Sequence, residues 1–207
     1  MFDFINNITQ WATSILSQGG YLGLFLLSII DRVGVSIIPA EAILPFAGFL
    51  IGQGKFLFWP IMIVITIGGL IGDLILYWFS FSYGRMFLEK YGKYVLVYKH
   101  DLDHADNIFA KHGGKTVLIS RFLPVIRSLI SIPAGISKMN LGKFIIFTIV
   151  GSVPWNLGLI WVGVKSGENL QAVTSYLDRF SFVIIIMLAI VVAWYIFRHL
   201  RKKHATH

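Results

Sequence analysis

Two arginines, Arg121 and Arg127, stand six positions apart in the apolar stretch SRFLPVIRSLISIPAG, residues 120–135. A guanidinium keeps its charge near neutral pH, and its forked donors match the oxygens of a phosphate. On an unbroken helix, a six-residue gap would point the two side chains about 120° apart. Pro124 interrupts the helix between them, so the spacing predicts that they converge on one anion. Two acids, Glu41 and Asp73, are set in equally apolar surroundings. A carboxyl in a low dielectric can exchange a proton near neutral pH. Glu41 and Asp73 are therefore read as proton carriers, or as gates that pair with the arginines when no ligand is bound. The simpler alternative is that the four charges cancel as two ion pairs and serve packing alone.

Charges at the middle of a membrane cost about 2.5–3.5 kcal/mol each on the mildest scales, so the surrounding elements must account for them. Of the 207 residues, 56% are hydrophobic and 14% are charged; in a soluble domain about a quarter are charged. Four segments are apolar enough to span a bilayer, for which about 20 residues suffice: residues 11–30, 56–82, 144–164 and 180–197. Two further apolar segments carry proline pairs. Residues 33–54 contain Pro39 and Pro45; residues 116–136 contain Pro124 and Pro133, followed by Gly135. Proline removes a helix donor, and a helix broken in lipid must hide its freed carbonyls inside the protein. Both segments are therefore expected to be re-entrant hairpins broken at these residues.

The basic residues orient this layout. With the N-terminus in the cytoplasm, twelve Lys and Arg fall on inner segments and three, Lys55, Lys165 and Arg179, on outer ones, as the positive-inside rule requires. The expected fold is all-α: a polytopic membrane protein with about four transmembrane helices and two oppositely facing re-entrant hairpins in an inverted repeat. Pro45-Phe-Ala-Gly48 is echoed by Pro133-Ala-Gly135. The chain reads as one membrane domain. Residues 1–19 would form an interfacial helix, residues 85–115 a cytoplasmic amphipathic linker whose helix ends at Gly113 and Gly114, and residues 198–207 a basic cytoplasmic tail.

The net charge of +8 flanks apolar runs, which points to an anionic membrane surface rather than nucleic acid. No cysteine is present, so disulfides and thiolate metal sites are excluded. DLDHAD, residues 101–106, reads as a capped helix start rather than a metal site, and no metal or other cofactor is implied. Asp31 and Arg32 read as a local pair at a span end. A lipid phosphatase would need a histidine or an acid cluster with a metal beside the basic residues. The second hairpin has no histidine, so the chain is read as a non-enzyme.

Pro39-Ala-Glu41, Gly48, Gly72-Asp73 with Tyr77, Arg121-Phe-Leu-Pro124-x-x-Arg127 and Pro133-Ala-Gly135 together resemble the DedA family of bacterial membrane proteins. The likeness runs from about residue 20 to residue 167. It departs at Val125, where the family often has Gly, and at Pro39-Ala-Glu41, where Pro-Gly-Glu or Pro-Ser-Glu is usual. The resemblance implies movement of a lipid phosphate, undecaprenyl phosphate or a phospholipid such as phosphatidylethanolamine, between the leaflets of a bacterial plasma membrane. Arg121 and Arg127 would hold the phosphate, with protons as a coupling partner at Glu41 and Asp73. The alternative is a proton-dependent transporter of small molecules or ions, acting in pH and membrane-potential homeostasis. Both termini are expected in the cytoplasm, and a homodimer is one arrangement that would seal the hairpins.

Overall fold

The computed structural model describes residues 19–33, 40–86, 99–123 and 126–165, with backbone alone for residues 40–42 and much of 99–110. The regular elements among the described residues are all helices, with no strand among them. In chain order they are α1 (residues 19–32), α2 (Ala40–Gly52), α3 (Phe58–Phe79), α4 (Lys99–Ser120), α5 (Ile126–Leu129), α6 (Ser131–Ile136) and α7 (Leu141–Lys165). A π-helical turn, Ser80–Gly84, prolongs α3. Two helices are long and apolar enough to cross a membrane, Phe58–Gly84 and Leu141–Lys165. The first is roughly 40 Å long at 1.5 Å per residue. They correspond to the second and third expected spans; the fourth, 180–197, lies outside the described residues, as do the N-terminal segment to residue 18 and the basic tail.

The start of each long helix follows from its sequence. Asn140 caps α7, its Oδ1 accepting from the Lys143 backbone N–H at 3.1 Å. Pro60 lies in the first turn of α3, where its missing N–H leaves no bond unmade. The segments before these helices close in the same way. After α2, the N–H groups of Gly54 and Lys55 donate to Ile51 and Leu50. After α6, those of Lys138 and Met139 donate to Gly135 and Ala134. Gly54 and Lys138 both have positive φ, 73° and 50°. Each end is thus a Schellman cap that turns the chain into the next long helix.

The prolines act differently from the expectation. Pro45 sits inside the 13-residue helix α2 without breaking it. That helix lies along α7, its most extensive neighbour, and packing overrides the local preference. Pro133 is in the first turn of α6, where it is tolerated. Gly135 is helical too; its role is close approach, since a Cβ there would stand 2.4 Å from the Tyr77 carbonyl oxygen. Pro39 and Pro124 lie outside the described residues. The linker helix does break at Gly113, as expected: φ 29° and ψ −99° at that glycine are not helical and divide α4 into two helices, the second running on to Ser120.

Residues 19–32 also depart from the expected layout. Tyr21 stacks edge-on against Phe56, 5.2 Å between centroids, and its hydroxyl accepts from the Leu57 N–H. Further along, Phe25 borders Gly68 and Ile29 borders Gly72. Helices α1 and α3 therefore run in the same direction, whereas a span followed by a hairpin and a second span would make them opposed. The start of residues 19–32 and the end of α2 both lie beside the start of α3, so these two helices pack as the arms of one helical hairpin. An apolar count cannot separate a crossing helix from a hairpin arm of similar composition. The cytoplasmic N-terminus, which relied on residues 11–30 as a crossing, loses that support. Helices α4 and α5–α6 pack as a second helical hairpin, and Phe109, His112, Lys115, Lys138, Asn140 and Lys143 are among the residues lining one cleft of about 450 Å³ at its mouth.

The two mouths lie at opposite ends of α3. Gln53 and Gly54 adjoin its start, while the Lys138 ammonium sits 5.9 Å from the Phe81 ring at its far end. One apolar cluster gathers α1, α2, the first half of α3 and the second half of α7. The other gathers α4, α6, the second half of α3 and the first half of α7. Large apolar side chains also cover the outside, among them Trp59, Ile63, Ile67, Trp78, Val150 and Trp161. That outer surface suits lipid rather than water.

Close backbone contact joins α2 to α7. A Cβ on Gly163 would stand 2.0 Å from the Pro45 carbonyl oxygen, and one on Gly48 2.2 Å from that of Ile160. Nothing lies within 4 Å of the corresponding position at Gly158. Gly163→Ala should destabilise the purified protein by about 1–3 kcal/mol. Gly158→Ala should be neutral or stabilising by up to about 1 kcal/mol. Thermal unfolding in detergent separates the two.

Candidate functional site

Between the two apolar clusters lies a buried polar layer: Arg32, Asp73, Arg121, Arg127, Ser131, Thr148, Ser152 and Asn156. Each member has a definite place. Asp73 is on the inner face of α3, one turn before Tyr77. Arg121 follows the last turn of α4, and Arg127 and Ser131 come from the short helices of the return arm. Thr148, Ser152 and Asn156 recur every four residues down α7, on one face.

The Arg121 guanidinium is at the centre. Its Nη1 donates to Asp73 Oδ2 at 2.8 Å and to the Arg127 carbonyl oxygen at 2.9 Å; its Nη2 donates to Thr148 Oγ1 at 2.9 Å. The second Asp73 oxygen accepts from the Ser131 hydroxyl at 2.9 Å. The Arg121 and Asp73 side chains are 0% and 1% exposed. A buried pair is tolerable only with its remaining donors and acceptors satisfied, and here only Arg121 Nε lacks a partner. Gly151 makes room for the arginine stem: a Cβ there would come within 2.8 Å of Arg121 Cβ and Cγ. Below the pair, the Tyr77 hydroxyl donates to the Met139 carbonyl, and its ring stacks on Phe144 at 4.8 Å.

The expected convergence of Arg121 and Arg127 on one anion is therefore not the arrangement seen. Arg121 spends its donors on Asp73, Thr148 and a carbonyl. Arg127, 3% exposed, places its guanidinium carbon 5.6 Å from the centre of the Trp155 ring, a cation–π contact. The break between them serves a different geometry, in which Arg121 reaches back to the Arg127 backbone. Of the two acids, Asp73 joins the site. Glu41 is in the first turn of α2, but its side chain lies outside the described residues. No three His, Asp or Glu side chains come together among the described residues.

The expected Asp31–Arg32 pair is present, Nε to Oδ2 3.9 Å, but sequence reasoning missed that Arg32 belongs to the buried layer: it is 4% exposed and its stem lies against Gly72 of α3. It closes the first arm of the first hairpin as Arg121 closes that of the second. The available signal was an internal repeat. Gly54-Lys55-Phe56 recurs as Gly142-Lys143-Phe144, and counting back from these phenylalanines reaches Arg32 and Arg121 within one position of each other.

A VTT-domain family model matches residues 38–165, the stretch that holds both long helices and most of the buried layer. The chain belongs to the VTT-domain, or DedA, family. It is 40% identical over 200 residues to the uncharacterized membrane protein YkoX of Bacillus subtilis (strain 168), covering 97% of this chain and 87% of that one. It is 35% identical over 195 residues to undecaprenyl phosphate transporter A of the same organism, covering 94% of each. It is also 35% identical to an alkaline phosphatase-like protein of Lactococcus lactis (strain IL1403), covering 91% of this chain and 90% of that one. No solved structure matches.

Removing one partner of the buried pair strands the other. Asp73→Leu or Arg121→Met alone should cost about 3–5 kcal/mol, while the double variant Asp73→Leu/Arg121→Met should regain much of the loss. Thermal unfolding of the four proteins, read as a double-mutant cycle, measures the coupling.

Proposed function

We propose that this VTT-domain protein spans a bacterial plasma membrane and carries a lipid phosphate, undecaprenyl phosphate or a phospholipid, between its leaflets. The observation that carries the reading is the buried layer itself: among the described residues Arg32, Arg121 and Arg127 are all buried, beside Asp73 and the polar groups of Ser131, Thr148, Ser152 and Asn156. Three buried guanidiniums suit an anionic headgroup, while an outer surface of Trp, Ile and Val lets the lipid tail remain in the bilayer. The transporter name borne by the 35%-identical relative supports the same substrate class.

Arg121, Arg127, Asp73 and Glu41 take these roles in the proposal. Asp73 is the internal counter-ion that occupies Arg121 while no ligand is bound. A phosphate replaces it, or protonation of Asp73 releases it; either step frees a guanidinium for the headgroup. Arg127 is the second cation, held against Trp155, and Glu41 is the second proton-responsive acid. The two hairpins enter the membrane from opposite faces, so each mouth serves one leaflet. The Lactococcus lactis relative's name suggests phosphate-ester hydrolysis instead; release of phosphate from a prenyl monophosphate by the pure protein would favour that chemistry.

In liposomes loaded with fluorescent undecaprenyl phosphate or phosphatidylethanolamine, wild type should accelerate flipping, and Arg127→Ala should slow it by about tenfold or more. Equal flipping by the two would remove Arg127 from the mechanism. Topology has its own check, because the chain has no cysteine. Gln53→Cys should react with an impermeant thiol reagent from outside the cell, and Lys143→Cys only from inside.

A further inference from the structure

The two arginines that close the first arm of each hairpin are neutralised unequally. Arg121 meets a carboxylate on the opposing long helix at 2.8 Å. Arg32 faces α7, which offers Thr148, Ser152 and Asn156 but no acid. Among the described residues its acidic contact is its own chain neighbour, Asp31, at 3.9 Å through Nε, the outer limit of an ion pair. Its Nη1 is buried without a hydrogen-bond partner. Asn156, 1% exposed, likewise has an unpartnered Oδ1. Both residues line one narrow crevice between α1, α3 and α7, together with Thr66, Thr148 and Ser152. In this state its walls stand too close to seat a water molecule. A charged donor and an amide acceptor, both orphaned in one buried crevice, are costly features for a fold to keep.

We propose that Arg32, with Ser152 and Asn156, forms the position that first receives the phosphate group, ahead of Arg121. The inference rests on the lipid-phosphate reading above. A phosphate monoester monoanion supplies both of the missing partners. Its charged oxygens accept from Arg32 and from the hydroxyls of Thr66 and Ser152, and its P–OH donates to Asn156 Oδ1. Arg121 cannot serve first, because Asp73 already holds it. Separation of α1 from α7 is the movement that admits the group, and the headgroup then lies in the same polar layer as Arg121, beside the shared wall residue Thr148.

The test is titration of the full-length protein in nanodiscs with a short-chain prenyl monophosphate, its uncharged prenol and inorganic phosphate. Wild type should bind the monophosphate, and Arg32→Gln should bind it about tenfold or more weakly. Asn156→Asp gives Arg32 a carboxylate facing it. That variant should melt no lower than wild type yet lose affinity by about the same factor, and it decides the matter if Arg32→Gln does not fold. Affinity unchanged in a folded Arg32→Gln or in Asn156→Asp overturns the assignment while leaving the transporter reading in place; failure of wild type to bind any phosphate removes both. Binding of inorganic phosphate with the same dependence on Arg32 supports the site and places its ligand in solution. Binding of the prenyl monophosphate alone supports the site and places its ligand in the membrane. Equal binding of the prenol overturns the inference.

Discussion

The bond between Arg121 and Asp73 fixes where the second hairpin packs along α3. Between helices in lipid, apolar burial supplies little attraction, because a neighbouring helix is no more apolar than the acyl chains it replaces. What holds the elements is close backbone approach, ring contact and polar bonds shielded from water. The guanidinium draws on all of the relevant pieces: the end of α4, the carboxylate of α3, the carbonyl of the return arm and the hydroxyl of α7. Slide the hairpin by one residue and these partners are lost together. The Tyr77 contacts and the fit of Gly135 against α3 set the same register a turn further along.

A pair so well satisfied cannot by itself explain the charge of the layer. Arg127 and Arg32 are also buried, and the described residues at that depth provide one aspartate among three arginines. Packing alone would favour neutral side chains there. The two halves solve the same geometric problem, an arginine laid over a glycine, and among the described residues Arg121 is the one paired closely with an acid from another helix.

The sequence made part of this legible. Residues 56–82 and 144–164 announce themselves as long apolar helices by composition, and Asp73, Arg121 and Arg127 stand out because charge is rare in such surroundings. The family likeness follows from the same residues. The ion pair was open as an alternative, but spacing could not choose between it and a shared ligand, because that choice depends on where α3 lies. Residues 19–32 misled for a related reason: an arm that dips and returns has the composition of one that crosses, and only its neighbours, Phe56 and Gly72, reveal its direction. Pro45 misled because local propensity yields to a helix packed along its whole length. Arg32 was hidden by Asp31, since an adjacent opposite charge makes a simpler story than a partner distant in the chain.

The contact of Gly48 with Gly163 has a consequence for motion. Side chains can trade rotamers and let two helices slip past one another; peptide planes pressed together at these distances cannot. The seam between α2 and α7 therefore behaves as a weld, and those two helices travel as one rigid body. Whatever rearrangement exposes the polar layer must leave this seam intact and part the helices elsewhere, as a withdrawal of α1 from α7 would.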